Sequence, residues 1–179
     1  MGEIGDIYTP NLDELRPLDR ESLRAAIAGI PPLPDEDDPI WNDETTNEPW
    51  MQLGRLIVAA DLIGEHGWRE EVPILFERAC LGNPADQMQG IRHGTEKAYK
   101  DDVHAFVALL LPLARHERPG TRQWVARELG ILRDLNALPA LVDLAIEDGV
   151  ELVRGEARLA ISMLAQVHLE AAAVDEVLP

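Results

Sequence analysis

The stretch RQWVARELGILRDLNALPALVDLA, residues 122–145, decides the fold. It holds two blocks of small and aliphatic residues, joined by the polar turn RDLN. Similar residues coincide when the chain is slid against itself by 66 positions, which places Ala126, Leu129 and Gly130 on Ala60, Ile63 and Gly64. A slide of 32 places Arg122 on Arg154. These offsets indicate a repeated unit of about 32–35 residues, the length of two-helix repeats.

Helix start signals divide the chain after residue 48 into helix pairs. A polar cap or an early proline stands at each of three predicted entries: Asn47-Glu48-Pro49, Asn83-Pro84 and Pro119-Gly120-Thr121. Pro73 and Pro139 fit the first turn of a helix, where the amides have no internal partner. The predicted pairs are 49–65 with 70–81, 84–98 with 102–115, 120–132 with 137–147, and 152–166 with 169–177. Gly90 and Gly94 predict either a close helix contact or a local kink.

The repeated pattern resembles HEAT repeats, in particular the short kind called HEAT-like or phycobilisome-lyase-type repeats. That family has an Arg in the first helix, then Ala and Leu-Gly, an Asp in the turn, and Ala-Leu-Pro-x-Leu in the second helix. The matching residues are Arg122, Ala126, Leu129-Gly130, Asp134 and Ala137-Leu138-Pro139-Ala140-Leu141. The match is strong over 118–166, fair over 55–80 and weak over 84–116. The first copy has Trp68 where Asp134 would align, so its turn should be held differently.

The resemblance implies an all-α fold: a right-handed α–α superhelix, or short HEAT-like solenoid, of about four helix pairs. Residues 1–48 differ in character, and we expect them to form a capping segment beside a repeat domain at 49–179. DRESLRAAIAGI (19–30) predicts a helix capped by Asp19, and a Pro-rich acidic stretch follows. That stretch should cover the first repeat through its apolar side chains, Leu33, Ile40, Trp41 and Trp50.

The formal net charge of −17 is unevenly distributed along the chain. The resemblance implies that first helices line the convex side and second helices the concave side. From residue 51 on, first helices and their turns hold nine acids and nine bases, whereas second helices hold eleven acids and four bases. Residues 1–50 add thirteen acids and three bases. One interpretation is an acidic groove that attracts a basic protein; the other is that acids near helix N-termini complement the helix dipole.

The predicted partner-binding residues follow from the first interpretation. They are Asp37, Asp38, Trp41, Asp43, Glu71, Glu77, Asp101, Asp102, Asp143, Glu147 and Asp175. Trp41 is included because an aromatic side chain within an acidic segment is typical of a binding anchor; the alternative is the apolar contact with the first repeat described above. The acidic balance argues against nucleic acid, whose phosphates require clustered Lys and Arg.

No motif for catalysis, a cofactor or a metal is present in the sequence. The five histidines lack the spacing of a metal site, and DEDD (35–38) lacks the glycine bend of a calcium loop. The single cysteine, Cys80, fits a reducing compartment. The start MGEIGDIYTP has no apolar leader, and the longest apolar run, AFVALLLPLA, is about half a membrane span. We therefore expect a cytoplasmic protein with no membrane partner.

The sequence thus predicts a non-enzymatic module that binds a basic protein. Its most concrete version is an immunity protein that neutralises a basic toxin domain, because small acidic HEAT-like proteins resemble that class. A generic adaptor or scaffold is an equal alternative. A bilin lyase or chaperone, after the namesake of the repeats, is a second class of function. A HEAT-like DNA glycosylase ranks last, since it needs a basic groove.

Overall fold

A computed structural model of the chain describes residue 15 and residues 18–34, 38–43, 45–79 and 85–177, with the side chains of 85–90 and 169–177 left aside. Within this part the chain forms eight α-helices and no strand, which confirms the all-α repeat class. The chain divides into two compact units, unit 1 at Met1–Lys100 and unit 2 at Asp101–Pro179. The division at residue 48, made on sequence character, stays a prediction. None of the helices in the described part is long and apolar enough to cross a bilayer.

Unit 1 holds four helices: α1 (Arg20–Gly29), α2 (Glu48–His66), α3 (Val72–Ala79) and α4 (Ala85–Ala98). Short 3₁₀ turns precede α2 at Pro39–Asn42 and α3 at Arg69–Glu71. The main contact of the unit is between α2 and α4. A Cβ atom at Gly94 would overlap the carbonyl oxygen of Ala60 in α2. Gly94 therefore marks a close helix contact, one of the two predicted alternatives.

The described residues before α2 pack against the first helix pair. Asp19 caps α1 by accepting a hydrogen bond from the Ser22 amide at 2.8 Å. Leu23, Ile27 and Leu33 are buried, and α1 packs on α3. The Leu33 amide also donates to the carbonyl oxygen of Arg78 in α3 at 2.9 Å. The hydrophobic face of α1 thus closes the open side of the pair.

Unit 2 holds α5 (Val103–Leu110), α6 (Pro119–Leu132), α7 (Leu138–Glu147) and α8 (Glu151–Val177). A 3₁₀ turn at Leu111–Arg115 extends α5, and another at Leu135–Ala137 leads into α7. The predicted helix 102–115 is thus split between two helix types. Pro112 explains the split, because it has no amide hydrogen to continue the α-helical ladder.

The 66-residue offset found in the sequence also appears in the backbone. Helices α2 and α6 both end on a left-handed residue, Gly67 with φ 68° and Arg133 with φ 56°. In each case a three-residue 3₁₀ turn follows, and the next helix carries proline in its first turn, Pro73 or Pro139. The two helix pairs are therefore joined by turns of the same conformation.

The two turns are held by different side chains, as the sequence predicts. The Asp134 carboxylate is 4% exposed. It accepts a hydrogen bond from the Asn136 amide at 2.9 Å and lies 2.5 Å from Nδ1 of His104 at the start of α5. Trp68, at the matching place, caps nothing with its side chain and instead stacks on His66 with ring centroids 4.4 Å apart. An aromatic contact thus replaces the carboxylate of the family pattern.

The predicted turn at Val167-His168-Leu169 is wrong, because α8 runs without a break from Glu151 to Val177. The sequence there contains neither the glycine nor the proline that usually ends a helix. The alanines at 171–173 that follow are strong helix formers. Unit 2 therefore ends in one long helix and not in a fourth helix pair.

Candidate functional site

An open cleft with a volume of about 840 Å³ lies between the 3₁₀ turn Leu111–Arg115 and helix α7 of unit 2. The residues that line it are Ala108, Leu111, Pro112, Ala114, Arg115, Arg122, Asn136, Pro139, Ala140, Asp143, Leu144, Glu147 and Asp148. The volume falls within the range of known ligand sites. We refer to this site as the α7 cleft.

One face of α7 forms one wall of the α7 cleft. The residues of α7 that line the cleft are four positions apart and therefore lie side by side on the helix surface. Ala140 and Leu144 form an apolar row, and Asp143 and Glu147 form an acidic row. The opposite wall is largely apolar, with Leu111 supplied by the 3₁₀ turn. The cleft therefore offers an apolar floor with two carboxylates at its edge.

The two carboxylates on α7 are exposed and weakly neutralised. The Asp143 side chain is 61% exposed and lies 3.9 Å from the guanidinium of Arg115, which is 87% exposed. Such an exposed pair contributes little to stability. Glu147 is also exposed, and it forms no ion pair among the side chains that the structure describes. Like charges four apart near a helix C-terminus are locally unfavourable, so helix stability does not explain them.

The third acid of the α7 cleft, Asp148, is engaged by Arg122. Two hydrogen bonds join them, from Nε to Oδ2 at 2.6 Å and from Nη2 to Oδ1 at 3.0 Å. Their side chains are only 4% and 16% exposed. Arg122 holds the pKa of the Asp148 carboxyl below its ordinary value, and Asp148 raises the pKa of Arg122. This buried pair lines the cleft and is not available to a partner.

Arg122 has a second structural role, which Arg154 repeats 32 positions later. Nη1 of Arg122 donates to the carbonyl oxygen of His116 at 2.8 Å, six residues earlier. Nη1 of Arg154 donates to the carbonyl oxygen of Asp148 at 2.5 Å, also six residues earlier. In α6 and α8 the arginine of the repeat pattern thus fastens the helix to the loop before it.

Glu71, a predicted partner-binding residue, is buried and must be removed from that set. Its side chain is 1% exposed, and its carboxylate lies between two arginines of α1. Nε of Arg20 is 2.7 Å from Oε1, and Nε of Arg24 is 3.1 Å from Oε2. Glu71 therefore fastens α1 to the start of α3 and cannot contact another protein.

Trp41 is also corrected, since it is a core residue and not an exposed anchor. It is 9% exposed, and its ring packs edge-on against Trp50 at a centroid distance of 5.0 Å. Nε1 of Trp50 donates to the carbonyl oxygen of Trp41 at 3.1 Å. The two rings hold the segment before α2 against that helix.

Three other predicted residues hold local turns. The Asp38 and Asp102 carboxylates accept hydrogen bonds from the amides of Ile40 at 2.9 Å and Ala105 at 3.0 Å. Asp43 accepts from the side chain and amide of Thr45, which lowers the pKa of its carboxyl. These contacts agree with the alternative interpretation, in which acids serve helix and turn starts.

The remaining predicted acids fall into three groups. Glu77 is exposed with Arg78 at 3.6 Å, and Asp101 is exposed at the start of unit 2. Asp37 lies outside the described residues, as does the side chain of Asp175, whose backbone belongs to α8. The α7 cleft thus brings together two of the predicted residues, Asp143 and Glu147.

The apolar floor of the α7 cleft was not predicted. The available signal was Leu111-Pro112, since a proline within an apolar run interrupts a helix and exposes its end. Within the described side chains, no group of three or more His, Cys, Asp or Glu residues is placed to hold a metal ion. The recognisable features of the site are therefore shape and charge.

Comparison with known families gives one match. Residues 95–162, from the end of α4 into α8, match the family described as HEAT repeats. The chain matches no curated protein and no solved structure. HEAT repeats commonly mediate contacts between proteins, and HEAT repeat proteins are generally non-catalytic scaffolds. The match supports a HEAT-like helical repeat protein and agrees with an adaptor or scaffold.

Proposed function

We propose that this chain is a non-catalytic protein-binding module whose α7 cleft takes a basic segment of a partner protein. The observation that carries the proposal is the pair Asp143 and Glu147, two exposed carboxylates beside an apolar floor. A segment with Lys or Arg next to apolar residues complements both features. Burial of the apolar residues would supply affinity, and the charges would supply orientation.

The charge of the whole chain supports the same kind of partner. A net charge of −17 attracts a cationic protein from a distance and accelerates encounter at low salt. Arg115 stands at the edge of the cleft and opposes this attraction locally. The net charge at the cleft therefore depends on a small number of exposed side chains, each of which can be substituted individually.

A more specific form of the proposal names the partner as a toxin domain, which the chain would neutralise as an immunity protein. It is supported by the acidity of the chain and by the cationic substrate sites of nuclease-like toxins, which an acidic protein can occupy. A toxin gene directly upstream is expected for this form. A gene neighbourhood without one favours the adaptor form.

The first prediction concerns the affinity of the α7 cleft for a basic probe. The probe is a labelled helical peptide of Leu and Lys, compared with the same peptide carrying Glu in place of Lys. The double variant Asp143→Asn/Glu147→Gln should bind the Lys peptide roughly five- to tenfold more weakly, since each exposed charge pair contributes below about 1 kcal/mol. Fluorescence anisotropy at low and physiological salt measures this change.

Two control variants distinguish the effect of the cleft carboxylates from the effect of the net charge of the chain. Glu21→Gln/Glu65→Gln also removes two negative charges, but from exposed positions of unit 1. It should leave the affinity for the Lys peptide nearly unchanged. Arg115→Gln removes the opposing cation and should strengthen binding of the Lys peptide. Equal weakening in both acidic double variants, or equal affinity for the Lys and Glu peptides, would contradict the proposed site.

A further inference from the structure

Helix α7 exposes a row of aliphatic side chains beside the α7 cleft. Leu138 and Val142 are each 37% exposed, and Ile146 is 72% exposed. Ile146 is the most exposed large hydrophobic residue among the described side chains. The three residues are four positions apart, so they form a row along the helix surface. We call this row, which lies outside the cleft lining, the α7 outer row.

The acidic residues of α7 lie between two apolar surfaces. Asp143 is three positions before Ile146 and three positions after Ala140, and residues three apart are neighbours on a helix. Ala140 belongs to the cleft, whereas Ile146 belongs to the α7 outer row. Glu147 continues the acidic row one turn later. A cation that binds these carboxylates therefore has aliphatic surface on both sides.

A cation of this chain already stands on the cleft side of Asp143. The guanidinium of Arg115, which belongs to the opposite wall of the cleft, lies 3.9 Å from the Asp143 carboxylate. It repels a second positive charge that approaches through the cleft. Asp143 is nevertheless 61% exposed, and its neighbour Ile146 is more exposed still. The route that avoids Arg115 therefore crosses the α7 outer row.

Resting on the proposed function, we propose that Lys or Arg side chains of the partner cross the α7 outer row. Their methylene stems lie on Val142 and Ile146. Their charged groups then reach the carboxylates of Asp143 and Glu147. Lys and Arg suit this surface because they bury an aliphatic stem while the charged end stays in a polar environment.

Other occupants fit the two rows less well. An apolar side chain of the partner over Ile146 would desolvate the neighbouring Asp143 carboxylate without supplying a counter-charge, which is costly. A cation without an aliphatic stem would leave Ile146 exposed to water. A cation with a long stem covers the apolar row and neutralises the acidic one, so it is the occupant that this face of α7 fits.

The partner is thereby described more closely than as a basic segment. Its apolar residues enter the α7 cleft, and its Lys or Arg residues stand at the edge of that apolar face. Affinity then depends on the length of the basic side chains as well as on their charge. This dependence distinguishes contact with the α7 outer row from attraction by the net charge of −17.

The first test compares the wild type with Ile146→Ala, using the Lys peptide and fluorescence anisotropy. Ile146→Ala should bind the peptide about fivefold more weakly, because the stems lose apolar surface to cover. Leu152→Ala is the matched control, since it removes a side chain that is 69% exposed on α8. Its affinity should change by less than about twofold. Alanine favours the helix in both variants. Equal effects of the two variants would overturn the proposal.

The second test changes the stem and keeps the charge. In a second peptide, diaminobutyric acid replaces Lys, so that the ammonium group sits on a shorter stem. This peptide should bind the wild type about fivefold more weakly than the Lys peptide. In Ile146→Ala the loss should shrink to below about twofold, because the stem has no contact left to lose. An equal loss in wild type and variant would show that the stems do not contact Ile146.

The two proposals fail in different ways. If Asp143→Asn/Glu147→Gln leaves the affinity for the Lys peptide unchanged, the proposed function and the role of the α7 outer row are both wrong. If that double variant binds more weakly while Ile146→Ala and Leu152→Ala bind like the wild type, the cleft proposal stands and only the outer row is wrong.

Discussion

Single residues decide how α2 and α6 end. Gly67 and Arg133, 66 positions apart, occupy the same left-handed conformation after α2 and α6. Glycine adopts it without steric cost, whereas a residue with a Cβ atom pays about 1–2 kcal/mol. The arginine is therefore tolerated at a cost that its repeat counterpart avoids.

Exchanging these two residue types should shift stability in opposite directions. Arg133→Gly should raise the free energy of unfolding by about 1 kcal/mol, and Gly67→Ala should lower it by a similar amount. A Cβ atom at Gly67 meets nothing within 4 Å, so the cost there belongs to the backbone alone. Urea denaturation measures both changes. A loss of stability in Arg133→Gly would show that the arginine side chain, and not the backbone, governs this turn.

Asp148 and Asp143 are two acids of the same cleft with opposite surroundings. Asp148→Asn should destabilise the chain by about 3 kcal/mol at pH 7, because it leaves the buried Arg122 without its counter-charge. Asp143→Asn, at an exposed position, should change stability by less than about 0.5 kcal/mol.

The stability that the Asp148 carboxylate contributes should decrease as the pH falls. Arg122 lowers the folded-state pKa of the carboxyl, so its stabilisation is fully present above the unfolded-state pKa of about 3.9. It is lost as the pH falls through the lower folded-state value. The difference between wild type and Asp148→Asn, measured by denaturation at pH 7 and pH 3, should therefore shrink in acid. A difference that grows in acid would contradict the role assigned to this pair.

Residue roles were predictable where the partner is near in sequence. The cap at Asp19 is confirmed, and its hydrogen bond spans three positions. The burial of Glu71 was not predictable, because its partner Arg20 lies 51 positions earlier on another helix. A carboxylate that pairs over such a distance looks like any surface acid in the sequence.

At the scale of helices, the contact between α2 and α4 rests on glycine. Gly94→Ala should destabilise the chain by about 2 kcal/mol or more, because the added methyl group overlaps the backbone of α2 at Ala60. Gly29→Ala, where a Cβ atom meets nothing within 4 Å, is the matched control and should be neutral or slightly stabilising. Thermal unfolding of both variants measures the difference. Equal midpoints would show that the two helices can separate without cost.

Helix pairs were predictable where the chain carries strong start and stop signals. The offset of 66 gave the pairs α2 with α3 and α6 with α7, because capping and proline positions repeat with it. The predicted last pair failed, since the residues after 166 form a helix as readily as those before. A single polar residue does not end a helix, and Val167-His168-Leu169 offers only His168.

At the scale of the whole molecule, the net charge could be counted from the sequence. Which of the charged side chains are exposed could not be predicted from it. The sum of −17 is a property of composition. Burial removes Glu71 from the surface, and Arg122 neutralises Asp148. Asp38 and Asp102 cap helix starts, and Asp43 holds a turn through Thr45. The acids that stay exposed in the α7 cleft are those without a local structural use, and a partner is the explanation that we propose for them.

The most direct measurement is where a basic ligand contacts the chain. Isotope-labelled protein should be titrated with the Lys peptide, and backbone amide shifts followed by NMR. The largest shifts should fall on the wall of the α7 cleft, at 108–115 and 139–148, and should disappear in Asp143→Asn/Glu147→Gln. Small shifts spread over acidic positions of both units, with none concentrated on α7, would contradict a binding site in this cleft.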